Sequence, residues 1–107
     1  MRRLVPILIG AALAFSVQAG NAEKGKQKAA QVCAACHGPD GNKPSAPDQP
    51  VLAGQYYDYL VRALGDYKNG RRNNAIMKGF AGMLKSEDID NVAAWYASQA
   101  PALTTYR

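Results

Sequence analysis

The chain has 107 residues, 48% of them hydrophobic, with a formal charge of +5, one histidine and two cysteines. A chain this short forms one domain, and its cysteine and histidine counts exclude both a disulfide framework and a closed four-ligand zinc site. Its basic residues are scattered, which excludes the concentrated stripe that nucleic-acid binding requires.

Residues 1–19 carry Arg2 and Arg3, a largely apolar run from Leu4 to Phe15, and small residues in Val17-Gln18-Ala19. This is the pattern of a secretory signal peptide. The apolar run falls short of the roughly 20 residues that cross a bilayer, and Pro6 and Gly10 interrupt it. Cleavage after Ala19, with Ala22 as a second possible point, leaves one domain over residues 20–107, 88 residues carrying +3. The expectation is an exported, periplasmic protein with no membrane span after cleavage. A domain of that size buries only somewhat more than about 60% of its unfolded surface, so its core is thin unless something else fills it.

The first helix is predicted over Ala22–Val32, with Asn21 as N-cap and Gly25, Ala29 and Val32 on one face. It runs directly into Cys33-Ala34-Ala35-Cys36-His37. Cys-x-x-Cys-His is the attachment run of a covalent c-type haem: two thiols at this spacing each form a thioether with one vinyl group, and the adjacent imidazole reaches the iron. A dithiol redox motif would instead sit in a strand-helix context, and none is visible. Such a haem would also supply the missing core.

Residues 38–54 are rich in proline and glycine, with Pro39, Pro44, Pro47 and Pro50 among them, and are predicted to be a loop. A structureless stretch of this length suits a small domain only if it has a task such as wrapping a cofactor. The second helix is predicted from about Gln55 to Asn69, with Tyr57, Leu60, Val61 and Leu64 as a buried stripe and Gly70 as its C-terminal cap. After it come Met77 and Met83, the two thioether donors of the exported chain; His37 is its only histidine. A thioether opposite imidazole raises the reduction potential of iron, although a methionine more often simply fills a gap in a core. The third helix is predicted to begin with Ser86 as N-cap, to hold Glu87 and Asp88 in its first turn, to bury Ile89, Val92, Ala93 and Tyr96, and to end by Pro101. No stretch alternates as a strand does, so the fold class is all-α.

Four stretches besides the haem motif carry a family resemblance: Gly20 to Gly25, Pro50-Val51-Leu52-Ala53-Gly54-Gln55, Tyr67-Lys68-Asn69-Gly70-Arg71, and Ile89 to Gln99. With it they resemble a class I c-type cytochrome, of the small bacterial monohaem subgroup that also forms the domains of diheme periplasmic cytochromes. The resemblance implies three main helices with short helical turns and long loops around one covalent haem. It places the ligand methionine in the loop before the last helix, eleven positions ahead of Asp88, which is Met77 and leaves Met83 to packing. It implies a proline carbonyl that accepts a hydrogen bond from His37; Pro50 fits, and Pro47 remains an alternative. It also crosses the first and last helices at Gly25 and Trp95, where a larger residue at position 25 would separate them. Tyr56, Tyr57, Tyr59 and Tyr67 could meet haem propionates or the methionine sulfur, and are assigned no site role.

Four pyrrole nitrogens, His37 and Met77 would leave the iron no open position. The implied function is therefore not catalysis but periplasmic one-electron transfer between respiratory or oxidoreductase partners. Lys43, Lys78 and Lys85 could form a basic rim for transient partners with acidic surfaces. The alternative is a haem-bearing, electron-accepting subunit of a larger periplasmic oxidoreductase such as a flavocytochrome sulfide dehydrogenase. An open-site haem enzyme or gas sensor would require Met77 to be off the iron.

Overall fold

The computed structural model describes residues 3–4 and 20–102. Apart from residues 3–4, the predicted leader lies outside them, as do residues 103–107. Five helices follow in order: α1 (Ala22–Val32), α2 (Ala34–His37), α3 (Tyr57–Asn69), α4 (Ala75–Gly82) and α5 (Ser86–Ala97). Among the described residues there is no strand, and the class is all-α as the sequence implies.

The first helix has the predicted bounds, because Asn21 takes extended backbone angles and its side-chain oxygen accepts the Lys24 N–H at 3.0 Å. It crosses α5 at Gly25. A Cβ built on Gly25 would lie 1.8 Å from the Asn91 carbonyl oxygen and 3.0 Å from Trp95 Cβ. The glycine therefore admits the backbone of the partner helix, and the Trp95 ring is only its neighbour. The buried Asn91 side chain accepts the Asn21 N–H at 2.7 Å, tying the start of α1 to the same crossing. Lys26 adds its ammonium 5.4 Å above the Trp95 ring.

The second predicted helix begins two residues late. Tyr56 stays extended while its N–H donates to the Gln55 side chain at 2.9 Å, so the helical angles start at Tyr57. Gly70 closes α3 in the left-handed conformation, as expected of that cap. The last helix also starts one residue from its predicted cap. Lys85 is the flanking residue, Ser86 is already helical, and the Asp88 carboxylate reaches back to accept the Lys85 N–H at 2.9 Å. That helix ends at Ala97, ahead of Pro101. There the Trp95 carbonyl accepts from the Ser98 N–H at 3.2 Å, from Ser98 Oγ at 2.7 Å and from Gln99 Nε2 at 3.2 Å.

The stretch expected to hold the methionine as loop is instead α4, capped by the Asn74 side chain, which accepts the Met77 N–H at 3.0 Å. Gly79 and Gly82 dilute helix propensity over these eight residues, which hides the helix from sequence reasoning. The Lys68 ammonium donates to the Leu84 carbonyl and fastens the far side of α4 to α3.

The core is small: Ala29, Leu60, Val92, Ala93 and Tyr96, with Leu52, Tyr57, Val61 and Leu64 packed against it. One flank of this cluster opens directly onto a crevice.

Candidate haem site

Four segments converge on that crevice. The α1–α2 junction contributes Cys33, Cys36 and His37; the loop contributes Gln49, Pro50 and Leu52; α3 contributes Leu60, Leu64 and Tyr67; α4 contributes Ile76, Met77 and Phe80. Val92, Ala93 and Tyr96 of α5 form the floor shared with the core. Open mouth included, the space is about 1100 Å³.

His37 is buried, and its Nδ1 lies 3.0 Å from the Pro50 carbonyl oxygen. A carbonyl only accepts, so Nδ1 carries the hydrogen, which in the neutral ring leaves the lone pair on Nε2. Of the two prolines weighed from sequence, Pro50 makes this contact. The loop is built to put it there. Gly41, at φ +82°, lets its carbonyl accept from Leu52 N–H at 2.9 Å and Ala53 N–H at 3.3 Å; a Cβ there would strike Ala53 N and Tyr96 Cδ1, each at 2.8 Å. Gln49 Oε1 accepts the Ser45 N–H at 2.9 Å, the Ser45 hydroxyl at 2.9 Å and the Ala46 N–H at 3.1 Å, closing the turn just before Pro50. Ser45 N–H also donates to the Cys36 carbonyl at 2.8 Å, linking the loop to the cysteine motif itself. From the other side, Trp95 Nε1 donates to the Pro39 carbonyl at 2.9 Å and the Tyr96 hydroxyl to the Gly38 carbonyl at 3.4 Å.

The two cysteines are unpaired thiols. Burial pushes the Cys33 thiol up to about 11, against the opposing pull of its hydrogen bond with Tyr96. A redox dithiol needs a lowered thiol, so this environment argues against that use of the motif. Among the described residues no three His, Cys, Asp or Glu side chains gather as a metal cluster.

Met77 is half-buried in the first turn of α4 and lines the crevice. Met83 is 59% exposed and does not line it, so the packing role expected of Met83 is not observed: its side chain faces outward at the end of α4. Lys43, Lys78 and Lys85 are all exposed.

The residues present fit a haem. Two thiols, a nitrogen lone pair and a thioether line one apolar crevice, and their buried neighbours Leu60, Val92 and Tyr96 offer a flat ring the surface it needs. Among the contributors that sequence reasoning missed are Tyr96, Asn74 and Arg72. Tyr96 was read only as core yet touches both Cys33 and Gly38. Asn74 and Arg72 lie in a short polar stretch whose spacing gives no signal, and both line the crevice.

Comparison with known proteins agrees. The cytochrome c family profile matches residues 22–100. Cytochrome c4 of Pseudomonas aeruginosa is 48% identical over 81 residues, covering 76% of this chain and 39% of that protein. Cytochrome c-554(548) of Halomonas halodenitrificans is 43% identical, covering 76% of this chain and 99% of its own length. The thiosulfate dehydrogenase electron acceptor of Stutzerimonas stutzeri is 38% identical, covering 77% of this chain and 40% of that protein. The crystal structure of reduced recombinant cytochrome c4 from Pseudomonas stutzeri superposes with a TM-score of 0.72 at 40% identity, over 79% of this chain and 48% of that one. The chain thus spans 39 to 44% of the length of the cytochrome c4 sequences it matches. On its profile match, its relatives and its fold, the chain belongs to the cytochrome c family.

Proposed function

We propose that this protein is a periplasmic one-electron carrier holding a single haem c, attached through Cys33 and Cys36 and ligated by His37 and Met77. The observation that carries the proposal is the orientation of His37, whose Nδ1 is committed to the Pro50 carbonyl at 3.0 Å while both cysteines and Met77 line the same crevice. When bound, haem supplies reversible one-electron exchange at its iron.

The chain's own residues supply the rest. Pro50 fixes the imidazole ring and raises its basicity as a ligand. Asn74 pins the turn that carries Met77. Leu60, Leu64 and Val92 exclude water from the crevice, and Phe80 and Ile76 line it from α4. A haem held by His37 and Met77 would offer electron exchange rather than a substrate site, so the protein would work with partner proteins. The exposed Lys43, Lys78 and Lys85 favour partners with acidic surfaces. Export to the periplasm rests on the leader-like run of residues 1–19.

Carbon monoxide tests the ligand set. The reduced parent is expected not to bind it, Met77→Ala to bind it rapidly and stoichiometrically, and Met83→Ala to behave as the parent. Binding by the parent, or by Met83→Ala in place of Met77→Ala, refutes the assignment.

A second reading, a haem subunit of a larger oxidoreductase, is supported by the likeness to a thiosulfate dehydrogenase electron acceptor. The native size of the haem-stained species in a periplasmic extract separates the two. A species of monomer mass supports the diffusible carrier, and a large salt-resistant complex supports the subunit.

A further inference from the structure

The two residues ahead of α1 are already tied to α5. Gly20 is half-buried, and a Cβ built on it would overlap the Asp90 carbonyl and lie 2.7 Å from the Asn91 nitrogen, so no larger residue fits without moving the middle of α5. Asn21 then donates its N–H to the Asn91 side chain at 2.7 Å, while its own side chain caps α1. Residues that a peptidase discards need no such fit. Cleavage after Ala22 would strip the helix cap and both contacts with α5, whereas cleavage after Ala19 keeps all three.

The surroundings of the Gly20 nitrogen are polar. The Tyr57 hydroxyl of α3 meets both it and the Asp90 side chain: burial raises that phenol most, the Asp90 charge raises it further, and the Gly20 N–H donated to its oxygen opposes both. Asp90 is half-buried, and among the described residues no lysine, arginine or histidine pairs with it. The other carboxylates of α5 are matched, Glu87 by Lys24 at 3.8 Å and Asp88 by Lys28 at 3.9 Å. Of the remaining charges nearby, Asp58 of α3 acts on the same phenol, and Glu23 and Lys24 of α1 are exposed.

Hydrolysis of the Ala19–Gly20 bond by a leader peptidase changes what stands there. One water is added, Ala19 leaves as a carboxylate, and Gly20 keeps an α-ammonium with three N–H donors in place of one; nothing is oxidised or reduced. That cation lies one residue before the N-cap of α1, where the helix dipole disfavours positive charge, so it needs an anion. We propose that the exported chain begins at Gly20 and that its α-ammonium is seated on the Asp90 carboxylate and the Tyr57 hydroxyl, an amine site completed by removal of the leader. The proposal rests on the leader reading of residues 1–19 and not on the haem. It adds a charge-assisted tie between α1, α3 and α5 beside the Gly25 crossing.

The test uses the exported holoprotein, its Asp90→Asn and Asp66→Asn variants, and parent and Asp90→Asn chains carrying one extra glycine before Gly20. Intact mass identifies the first residue. Competitive acetylation with trace acetic anhydride, mapped on the N-terminal peptide across pH, gives the pKa and the reactivity of the α-amine. A chain starting at Gly20 is expected. Asp90→Asn should lower the α-amine pKa by about one unit, because the ion pair favours the charged form. Asp66→Asn, at the far end of α3, should leave it in place. The extra glycine carries the amine off the site, so Asp90→Asn should no longer move its pKa, and once deprotonated it should acetylate several-fold faster than the Gly20 amine packed on α5. A chain starting at Glu23 refutes the cleavage site. A Gly20 terminus whose pKa ignores Asp90→Asn, or an extended terminus that matches it in response and reactivity, refutes the seat. A retained leader refutes the export reading and the proposal with it.

Discussion

Replacing Gly25 by alanine places one methyl group where the α1–α5 crossing has no room. The new Cβ would sit 1.8 Å from the Asn91 oxygen and 2.4 Å from its carbonyl carbon, whereas ordinary contact begins at 3.4 Å. Both atoms are backbone in the middle of α5, so no rotamer change relieves the overlap and the helices must separate by roughly 1.5 Å. Separation on that scale stretches the 2.7 Å bond from Asn21 N–H to the buried Asn91 side chain. Overpacking costs about 1–3 kcal/mol and the loss of this part-buried hydrogen bond about 1 kcal/mol more, so a loss of about 2–4 kcal/mol is expected for Gly25→Ala. A domain of this size loses roughly 4–8 °C of Tm per kcal/mol, which puts the expected drop at about 10–30 °C.

Thermal unfolding followed by far-ultraviolet circular dichroism measures the drop, with haem absorbance reporting whether the crevice opens in the same transition. Gly65→Ala is the matched control. It lies inside α3 with nothing within 4 Å of the added carbon, so it should stabilise by about 0.5–1 kcal/mol. Gly25→Ala within about 0.5 kcal/mol of the parent would refute the close crossing, and Gly25→Val should be worse than alanine on the same scale.

Trp95→Phe removes the donor to the Pro39 carbonyl while keeping an aromatic ring, and is expected to cost about 1 kcal/mol and to speed hydrogen exchange in the 38–54 loop; unchanged exchange would show that the loop does not depend on this tether. Met83→Ala is expected within about 0.5 kcal/mol of the parent by chemical denaturation, since that side chain is 59% exposed; a loss above 2 kcal/mol would mean that it packs after all. Burial raises the phenols of Tyr57 and Tyr96 above the ordinary tyrosine range. The folded protein therefore keeps protons that the unfolded chain gives up near pH 10, so the stability held by these phenols is complete below about pH 10 and falls as the pH rises further. Phenolate absorbance should show Tyr57 and Tyr96 ionising late, together with unfolding; their titration in the ordinary range with the fold intact would overturn the burial argument.

The attachment motif and the helical class can both be read along the chain, because each depends on residues close together in sequence. Covalent attachment needs two thiols and an imidazole at fixed spacing along one chain, so Cys33, Cys36 and His37 are legible without any fold. The bounds of α1 are equally local, because the Asn21 cap acts on the turn that follows it. Cap positions shifted where a side chain reached back across the boundary, as Asp88 does to Lys85. The remaining contacts join residues distant in sequence and arise only on folding. His37 turns to Pro50, Asn21 to Asn91 and Trp95 to Pro39 across 13, 70 and 56 positions, and no periodicity encodes such pairs. The α4 helix was hidden because its glycines lower local propensity while packing against α3 sustains it. The contacts of Arg72 with Tyr59 and Tyr67 are of the same kind, because they exist only once α3 and the connection after it are packed together.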